Sequence, residues 1–176
     1  VSPGARPGPG QIVASNHLSV GALAEAAGAE VRQLGIARDT RDHLARRIGE
    51  AADSHVLVTI GGASVGEHDL VGPVLKEHGM ALSLWKMAMR PGKPLMFGRL
   101  GGCHILGLPG NPAASFVCAR LFLVPLVWRL LGRPVEVALP TVEARLGAAV
   151  ETNGPRQHYM RAVSEPEANG LLQVAP

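Results

Sequence analysis

Three glycines within six residues follow a short apolar run in the segment LVTIGGASVGEHDL, residues 57–70. The run is a predicted strand, and ligands of open α/β sheets bind beyond the carboxyl ends of the strands. Gly61, Gly62 and Gly66 would let backbone N–H groups approach an anion closely, and Ser64 adds a hydroxyl donor. No Gly-Lys-Ser/Thr sequence follows, so this is not a Walker A loop. By itself the segment fits either a phosphate-binding loop or a tight turn between a strand and a helix.

Three cations lie close together in the segment WKMAMRPGKP: Lys86, Arg90 and Lys93. If this segment is a strand, Lys86 and Arg90 share one face because they are four residues apart. Two cations on one face, beside a Pro-Gly turn, could bind an oxyanion or a phosphate. The alternative is a solvated edge strand.

A second rigid loop, GLPGNP at residues 107–112, connects a predicted strand to a predicted helix. Its prolines restrict the backbone, Asn111 can cap the helix, and Pro112 suits the first helical turn. The same features serve any strand-to-helix junction, so this loop indicates a binding site only in combination with the others.

Two carboxylates, Asp39 and Asp69, each lie near a predicted strand-to-helix junction. Each could be an ordinary helix cap. Beside a phosphate site they could instead hold Mg²⁺, which prefers few carboxylates together with substrate phosphates and water. No Ser/His/Asp or Cys/His spacing indicates a nucleophile, so catalysis would depend on positioning and electrostatics.

The hydrophobic pattern alternates between helical and strand-like segments up to about residue 131. The predicted helices lie at 15–28, 41–52, 69–79 and 112–131, and the predicted strands at 30–36, 55–60, 81–89, 95–100 and 104–108. The β-branched run at 55–60 is typical of a strand buried on both faces, and Gly101-Gly102 of a hairpin turn. The alternation predicts an α/β fold with a mostly parallel sheet covered on both faces.

The segment 112–131 is apolar enough to be mistaken for a membrane span. Arg120 lies in its middle and Pro125 follows, and a charge near the bilayer centre is costly, so we expect a buried, Pro-kinked helix instead. Cys103 and Cys118 lie in apolar segments, which predicts reduced core thiols of a cytosolic protein.

Composition sets the remaining limits. The chain is 47% hydrophobic and 18% charged. Its 176 residues are enough for one α/β domain and part of another. The net charge of +3 suits anionic small molecules, and the absence of Lys/Arg tracts interleaved with aromatics argues against nucleic acid. Turn signals dominate the end of the chain, so we expect an α/β domain at 1–134 and the start of a small β-rich domain at 135–176. The opening residues contain no signal peptide and read as a loop entered midway, which suggests a fragment of a longer protein.

Taken together and in this order, the motifs GGASVGEHDL, WKMAMRPGKP and GLPGNP and the Pro-kinked helix resemble the molybdopterin molybdenumtransferase family, to which the C-terminal domain of gephyrin also belongs. The resemblance extends from about Gly10 to Gly132 and more loosely to Val163. It implies a three-layer α/β/α domain that binds molybdopterin. It also implies insertion of molybdate into adenylylated molybdopterin, with Mg²⁺, and release of AMP.

The resemblance also implies roles for individual residues. Asp39 matches the family's aspartate after the second strand, and Asp69 matches the acid that closes the GGxSxG-x-x-D loop; both would be catalytic and bind the metal. Lys86 matches a basic residue proposed to act on molybdate or the pterin phosphate, and Arg90 stands where a lysine is frequent; both would also be catalytic. The implied substrate-binding residues are Gly61, Gly62, Ser64, Gly66, Lys93, Pro109, Gly110, Asn111 and Arg161, the last matching an arginine of the C-terminal β domain.

The chain departs from the family pattern at its start. The strand ending in Ser-Thr-Gly-Asp-Glu and the elongated N-terminal domains that shape the family's dimer are absent, and Ala63 stands where valine is usual. Two alternatives remain: the molybdopterin adenylyltransferase, a single-domain relative with the same glycine loop, and a gephyrin-like binding module without activity. The expected partners are adenylylated molybdopterin, molybdate and a second copy in the full-length protein, with the adenylyltransferase as a further candidate. Neither nucleic acid nor a membrane is expected.

Overall fold

All four predicted helices form within the first 130 residues, and five strands lie among them. The computed structural model describes residues 1–62, 69–134, 136, 139–152, 154–166 and 172–175. The first three helices are α1 (Asn16–Ala27), α2 (Arg41–Glu50) and α3 (Val71–Glu77). The first five strands are β1 (Val56–Ile60), β2 (Ala81–Trp85), β3 (Met89–Arg90), β4 (Met96–Leu100) and β5 (Cys103–Leu108).

Four of these strands form one sheet in the order β1-β5-β4-β2. β1 is parallel to β5, whereas β4 is antiparallel to both β5 and β2. The α/β class is confirmed, but the prediction of a mostly parallel sheet was wrong for these strands. The reason lies in the connections: Gly101 and Gly102 close a hairpin between β4 and β5, and the ten residues between β2 and β4 are too few for a crossover helix.

The sheet is covered on both faces, which gives three layers. Alternate side chains of β5 point to opposite sides, with Leu106 and Leu108 in one core and Cys103 and Ile105 in the other. The first core contains side chains of α1 and of the long apolar helix, and the second contains side chains of α2 and α3. The cysteines are buried free thiols in separate cores, as predicted.

The predictions of a strand at 30–36 and of a strand at 55–60 buried on both faces need correction. Residues 30–36 form no strand, because in the described part of the chain β1 pairs with β5 alone and no neighbour takes up backbone hydrogen bonds from this segment. Its side chains still pack, Val31 against the first core and Leu34 against the second. β1 itself is consequently an edge strand in which Leu57 is buried and the other residues are half-buried.

The long apolar helix consists of α4 (Pro112–Cys118), a π-helical turn (Ala119–Leu123) and α5 (Val124–Leu130). Pro125 has no N–H to donate and its ring would crowd the carbonyl four residues earlier, so the helix widens directly before it. With a mean hydropathy of 1.6, Pro112–Leu130 could cross a membrane by length and composition alone. Here it packs against α1 and β5 with Ala119 and Leu123 in the core, as predicted for a core helix, while Phe116 on its outer side stays exposed.

The end of the chain contributes strands β6 (Ala144–Leu146), β7 (Gln157–His158), β8 (Val163–Pro166) and β9 (Leu172–Ala175). β6, β9 and β8 form a separate three-stranded sheet, whereas β7 pairs with β3. The strands expected after residue 134 are therefore present, and the division into domains at 134 stays a prediction.

Candidate anion-binding site

The two glycine-containing loops meet at one edge of the sheet. β1 and β5 are parallel neighbours, so their carboxyl ends lie side by side. The N–H of Gly61 donates to the carbonyl of Leu108 at 2.9 Å, and a Cβ added to Gly110 would lie 3.5 Å from the Cα of Gly61. The side-chain amide of Asn16, at the start of α1, donates to the carbonyl of Gly110 at 2.8 Å. Contacts with β5, through Leu108, and with α1, through Asn16, thus hold the two loops in position.

Asp69 lies close to Gly62 at this edge. The φ of Gly62, +70°, is in the left-handed region, and an added Cβ would collide with Val71 and lie 3.3 Å from Asp69 Oδ1. That oxygen accepts a hydrogen bond of 3.2 Å from the N–H of Val71, the first residue of α3. Asp69 therefore lies beside the loop, as predicted, and supports the helix start. Ser64 and Gly66 lie outside the described residues.

The second loop ends in a well-formed helix start. Asn111 Oδ1 accepts a hydrogen bond of 3.1 Å from the N–H of Ala114, and Pro112 occupies the first helical position. Both roles are as predicted. Pro109 is buried, whereas Gly110 and Asn111 are exposed and face solvent.

The argument that Lys86 and Arg90 share one strand face was wrong. β2 ends at Trp85, and Lys86 has a φ of +72°, so the backbone turns there before β3 begins. The N–H of Lys86 donates to Leu95, and that of Met87 to Lys93, both at 2.9 Å. Residues 86–95 thus form a closed loop with exposed Lys86, Arg90 and Lys93 rather than a continued strand.

The pairing of β3 with β7 places Arg161 in the same cleft as Arg90. Arg90 is opposite His158, and its carbonyl accepts a hydrogen bond of 2.7 Å from the N–H of Tyr159. Arg90 and Arg161 line a cleft of about 620 Å³. The other lining residues are Pro91, Ala113, Val117, His158, Tyr159, Met160, Ala162 and Val163. The described lining thus contains two arginines and no acidic side chain, beside the start of α4.

Asp39 lies in the exposed loop before α2, on a different element from Asp69. Thr40, not Asp39, occupies the cap position of α2. The N–H of the preceding Arg38 donates to His43 Nδ1 at 3.2 Å, which ties this loop to the helix. Burial, together with Arg46, Arg47 and Arg38, lowers the pKa of His43.

The residues proposed for Mg²⁺ fit that ion by chemistry, since carboxylate oxygens are its preferred protein ligands. Within the described ranges no three His, Cys, Asp or Glu side chains form a group that could hold a metal. Any Mg²⁺ at Asp69 or Asp39 would therefore need substrate oxygens and water as its other ligands. The metal stays a prediction.

The sequence did not indicate two features of this site. Asn16 is a half-buried polar residue in an ordinary helix start, and no spacing marks it as the partner of Gly110. Ala113 and Val117 are small apolar residues of α4, and only the docking of residues 158–163 against them shows that they form a wall of the cleft.

The architecture defines an α/β/α domain with two glycine-containing loops at the carboxyl edge of its parallel strand pair and a cleft, lined by Arg90 and Arg161, beside the start of α4. Residues 1–129 match the family described as "Probable molybdopterin binding domain". The chain therefore belongs to this family.

Named relatives agree with this assignment. The molybdopterin molybdenumtransferase of Nostoc sp. is 35% identical over 156 residues, which are 86% of this chain and 36% of the relative. Molybdopterin molybdenumtransferase 2 of Mycobacterium tuberculosis is 30% identical over 183 residues, covering 99% of this chain and 44% of the relative. The crystal structure of the molybdopterin biosynthesis moea protein from Pyrococcus horikosii superimposes with a TM-score of 0.77 at 30% identity, covering 99% of this chain and 41% of that one. The chain spans less than half the length of these relatives.

Proposed function

We propose that this chain is the molybdopterin-binding part of a molybdopterin molybdenumtransferase, which inserts molybdate into adenylylated molybdopterin and releases AMP. The observation that carries the proposal is the cleft in which Arg90 and Arg161 lie beside the start of α4. Two guanidinium groups are suited to bind an oxyanion such as molybdate, because each presents a planar set of donors.

The two glycine-containing loops would supply the second half of the proposed site. Gly61 and Gly110 carry no side chain at the carboxyl edge of the sheet, and we place the pterin phosphate there. Lys86 and Lys93 are exposed on the loop that also carries Arg90, and they add positive charge for the AMP and phosphate groups. The chain's part in the reaction is to hold two anions in a fixed relative orientation.

Asp69 and Asp39 are the proposed ligands of Mg²⁺, which when bound would neutralise phosphate charge on the substrate. Asp69 Oδ1 already accepts the hydrogen bond from Val71. That bond fixes the orientation of the carboxylate.

The alternative within the same fold is molybdopterin adenylyl transfer. The single-domain adenylyltransferase predicts no β domain after the long helix, whereas β6, β8 and β9 follow it here. ATP-dependent adenylylation of molybdopterin would favour this alternative, and molybdate-dependent AMP release would favour the transferase. A gephyrin-like binding module would capture a peptide without binding pterin. We further propose that the whole protein is cytoplasmic and a homodimer, with the adenylyltransferase as a possible partner.

Calorimetric titration of the 176-residue chain with inorganic molybdate tests the proposal directly. We expect Arg161→Ala and Arg90→Ala each to weaken binding about tenfold, since charge-assisted hydrogen bonds are worth roughly 1.5–3 kcal/mol. Arg99→Ala is the matched control, because Arg99 is an exposed arginine of β4 that does not line the cleft. Binding that is equal in all four proteins would contradict the assignment of the cleft.

A further inference from the structure

A buried cysteine contacts the turn that carries two of the cations. Gly92 lies between Pro91 and Lys93, is buried, and has a φ of +113°. A Cβ added to it would lie 2.5 Å from Cys118 Sγ and 3.0 Å from the terminal methyl of Met89. The backbone of the turn therefore lies directly against the Cys118 side chain.

Cys118 is the last residue of α4 and is completely buried. Burial raises the pKa of its thiol to about 11, so the side chain is neutral and acts as a small packing group. The preceding residue, Val117, lines the cleft, as does Ala113 one turn earlier. The contact between Cys118 and Gly92 thus joins the helix that forms one wall of the cleft to the turn that carries Arg90 and Lys93.

We infer that Cys118 is a positioning residue for the anion site: the size of its side chain sets the separation between α4 and the Arg90–Lys93 turn. This inference rests on the proposed function, because it assigns the cleft to an anion. The physical reason is that Gly92 has no Cβ and its Cα meets Sγ directly. Any heavy atom beyond Sγ must move the turn, and the two cations that flank Gly92 move with it.

The test is Cys118→Leu, which places two methyl groups beyond the position of Sγ. Cys118→Ile, which places one methyl group beyond the position of Sγ, is a milder second variant in case the leucine variant does not fold. Cys118→Ala removes Sγ without pushing the turn. The matched control is Cys103→Leu, since Cys103 is also a buried free cysteine but lies in the other core.

Two measurements are made on each folded variant: the dissociation constant for inorganic molybdate by calorimetry, and the ¹H–¹⁵N shifts of the amides of Gly92 and Lys93. We expect Cys118→Leu to shift both amides and to weaken molybdate binding about fivefold or more, because misplacement of a binding group by about 1 Å is costly. Cys118→Ile should act in the same direction. Cys118→Ala should bind nearly as the parent chain does, and Cys103→Leu should lower the unfolding temperature without changing affinity.

The outcomes separate the inference from the proposed function. If the parent chain does not bind molybdate, the proposed function is wrong and the inference falls with it. If the parent chain binds molybdate and the Cys118→Leu and Cys118→Ile variants bind it equally well, the inference alone is overturned. An equal loss of affinity in Cys103→Leu would also overturn it, because the effect would then be general destabilisation.

Discussion

Replacing Gly62 by alanine should destabilise the protein more than the same change at any glycine whose surroundings are open. Gly62 has a φ of +70°, and a Cβ there would lie 3.1 Å from Val71 Cβ and nearer still to one of its methyl groups. Gly79, at the end of α3, is the control: its φ is +90° and nothing lies within 4 Å of an added Cβ. Both variants place an alanine at a positive φ, but only in Gly62→Ala does the new Cβ also collide with Val71.

The expected magnitudes follow from these two contributions. A non-glycine residue in the left-handed region costs about 1–2 kcal/mol, which is the whole expected loss for Gly79→Ala. Forcing an extra methyl against a packed side chain costs about 1–3 kcal/mol more. We therefore expect Gly62→Ala to lower the free energy of unfolding by about 2–5 kcal/mol.

Urea denaturation followed by circular dichroism measures both variants, and a double-mutant cycle isolates the collision. Val71→Ala removes the methyl that an alanine at position 62 would meet, so the cost of Gly62→Ala should shrink by about 1 kcal/mol or more in that background. Equal losses in Gly62→Ala and Gly79→Ala, with additive effects of Val71→Ala, would refute the reasoning. In that case the described position of α3 against the glycine loop would not explain the requirement for glycine.

Three further predictions concern Lys86, Asp69 and His43. Lys86→Gly should raise the free energy of unfolding by about 1 kcal/mol, because it relieves a φ of +72°, and should weaken molybdate binding; an unchanged urea midpoint would contradict this. In the full-length protein, Asp69→Ala should abolish molybdate-dependent AMP release and lower stability by only about 1 kcal/mol through loss of the hydrogen bond to Val71, and normal cofactor yield would refute its assignment. The pKa of His43 is lowered in the folded state, so the unfolded chain binds the proton first and stability should fall as the pH drops below about 6.5. Urea midpoints at several pH values should show this fall, and His43→Gln should make it shallower; identical pH profiles would argue against it.

Much of the site could be predicted from residue types and chain order. Glycines after an apolar strand, and a Pro-Gly-Asn-Pro loop after another, predict two junctions at the carboxyl edge of one sheet. The structure places Gly61 next to Gly110 there, because β1 and β5 are parallel neighbours. The capping role of Asn111 was also predicted, since an amide before Pro at a helix start has few other uses.

The cation cluster shows why the rest could not be predicted. A strand period places Lys86 and Arg90 on one face, but the period applies only while the strand continues, and it ends at Trp85. The cation that does share a cleft with Arg90 is Arg161, which arrives through the pairing of β7 with β3. Local periodicity carries no information about such a long-range pairing.

The prediction of the sheet topology was wrong for a similar reason. Alternating strands and helices indicate parallel pairing on average, yet the short connections after Trp85 and Leu100 make three strands pair antiparallel. The segment 30–36 has strand-like side chains but no neighbour in the described chain to accept its hydrogen bonds. A strand forms only when two segments pair, so the sequence of one segment cannot establish that it becomes a strand.

The sequence by itself determined the α/β class, the helices, the glycine and proline junctions and the candidate residues, because these depend on local conformational preferences and on the periodicity of burial. Only the tertiary structure decided which candidates meet. It placed Gly62 against Val71 and Asp69, Arg161 in one cleft with Arg90, and Cys118 against Gly92. Those contacts join segments that are distant along the chain, and they depend on strand order and on side-chain packing at the scale of single atoms.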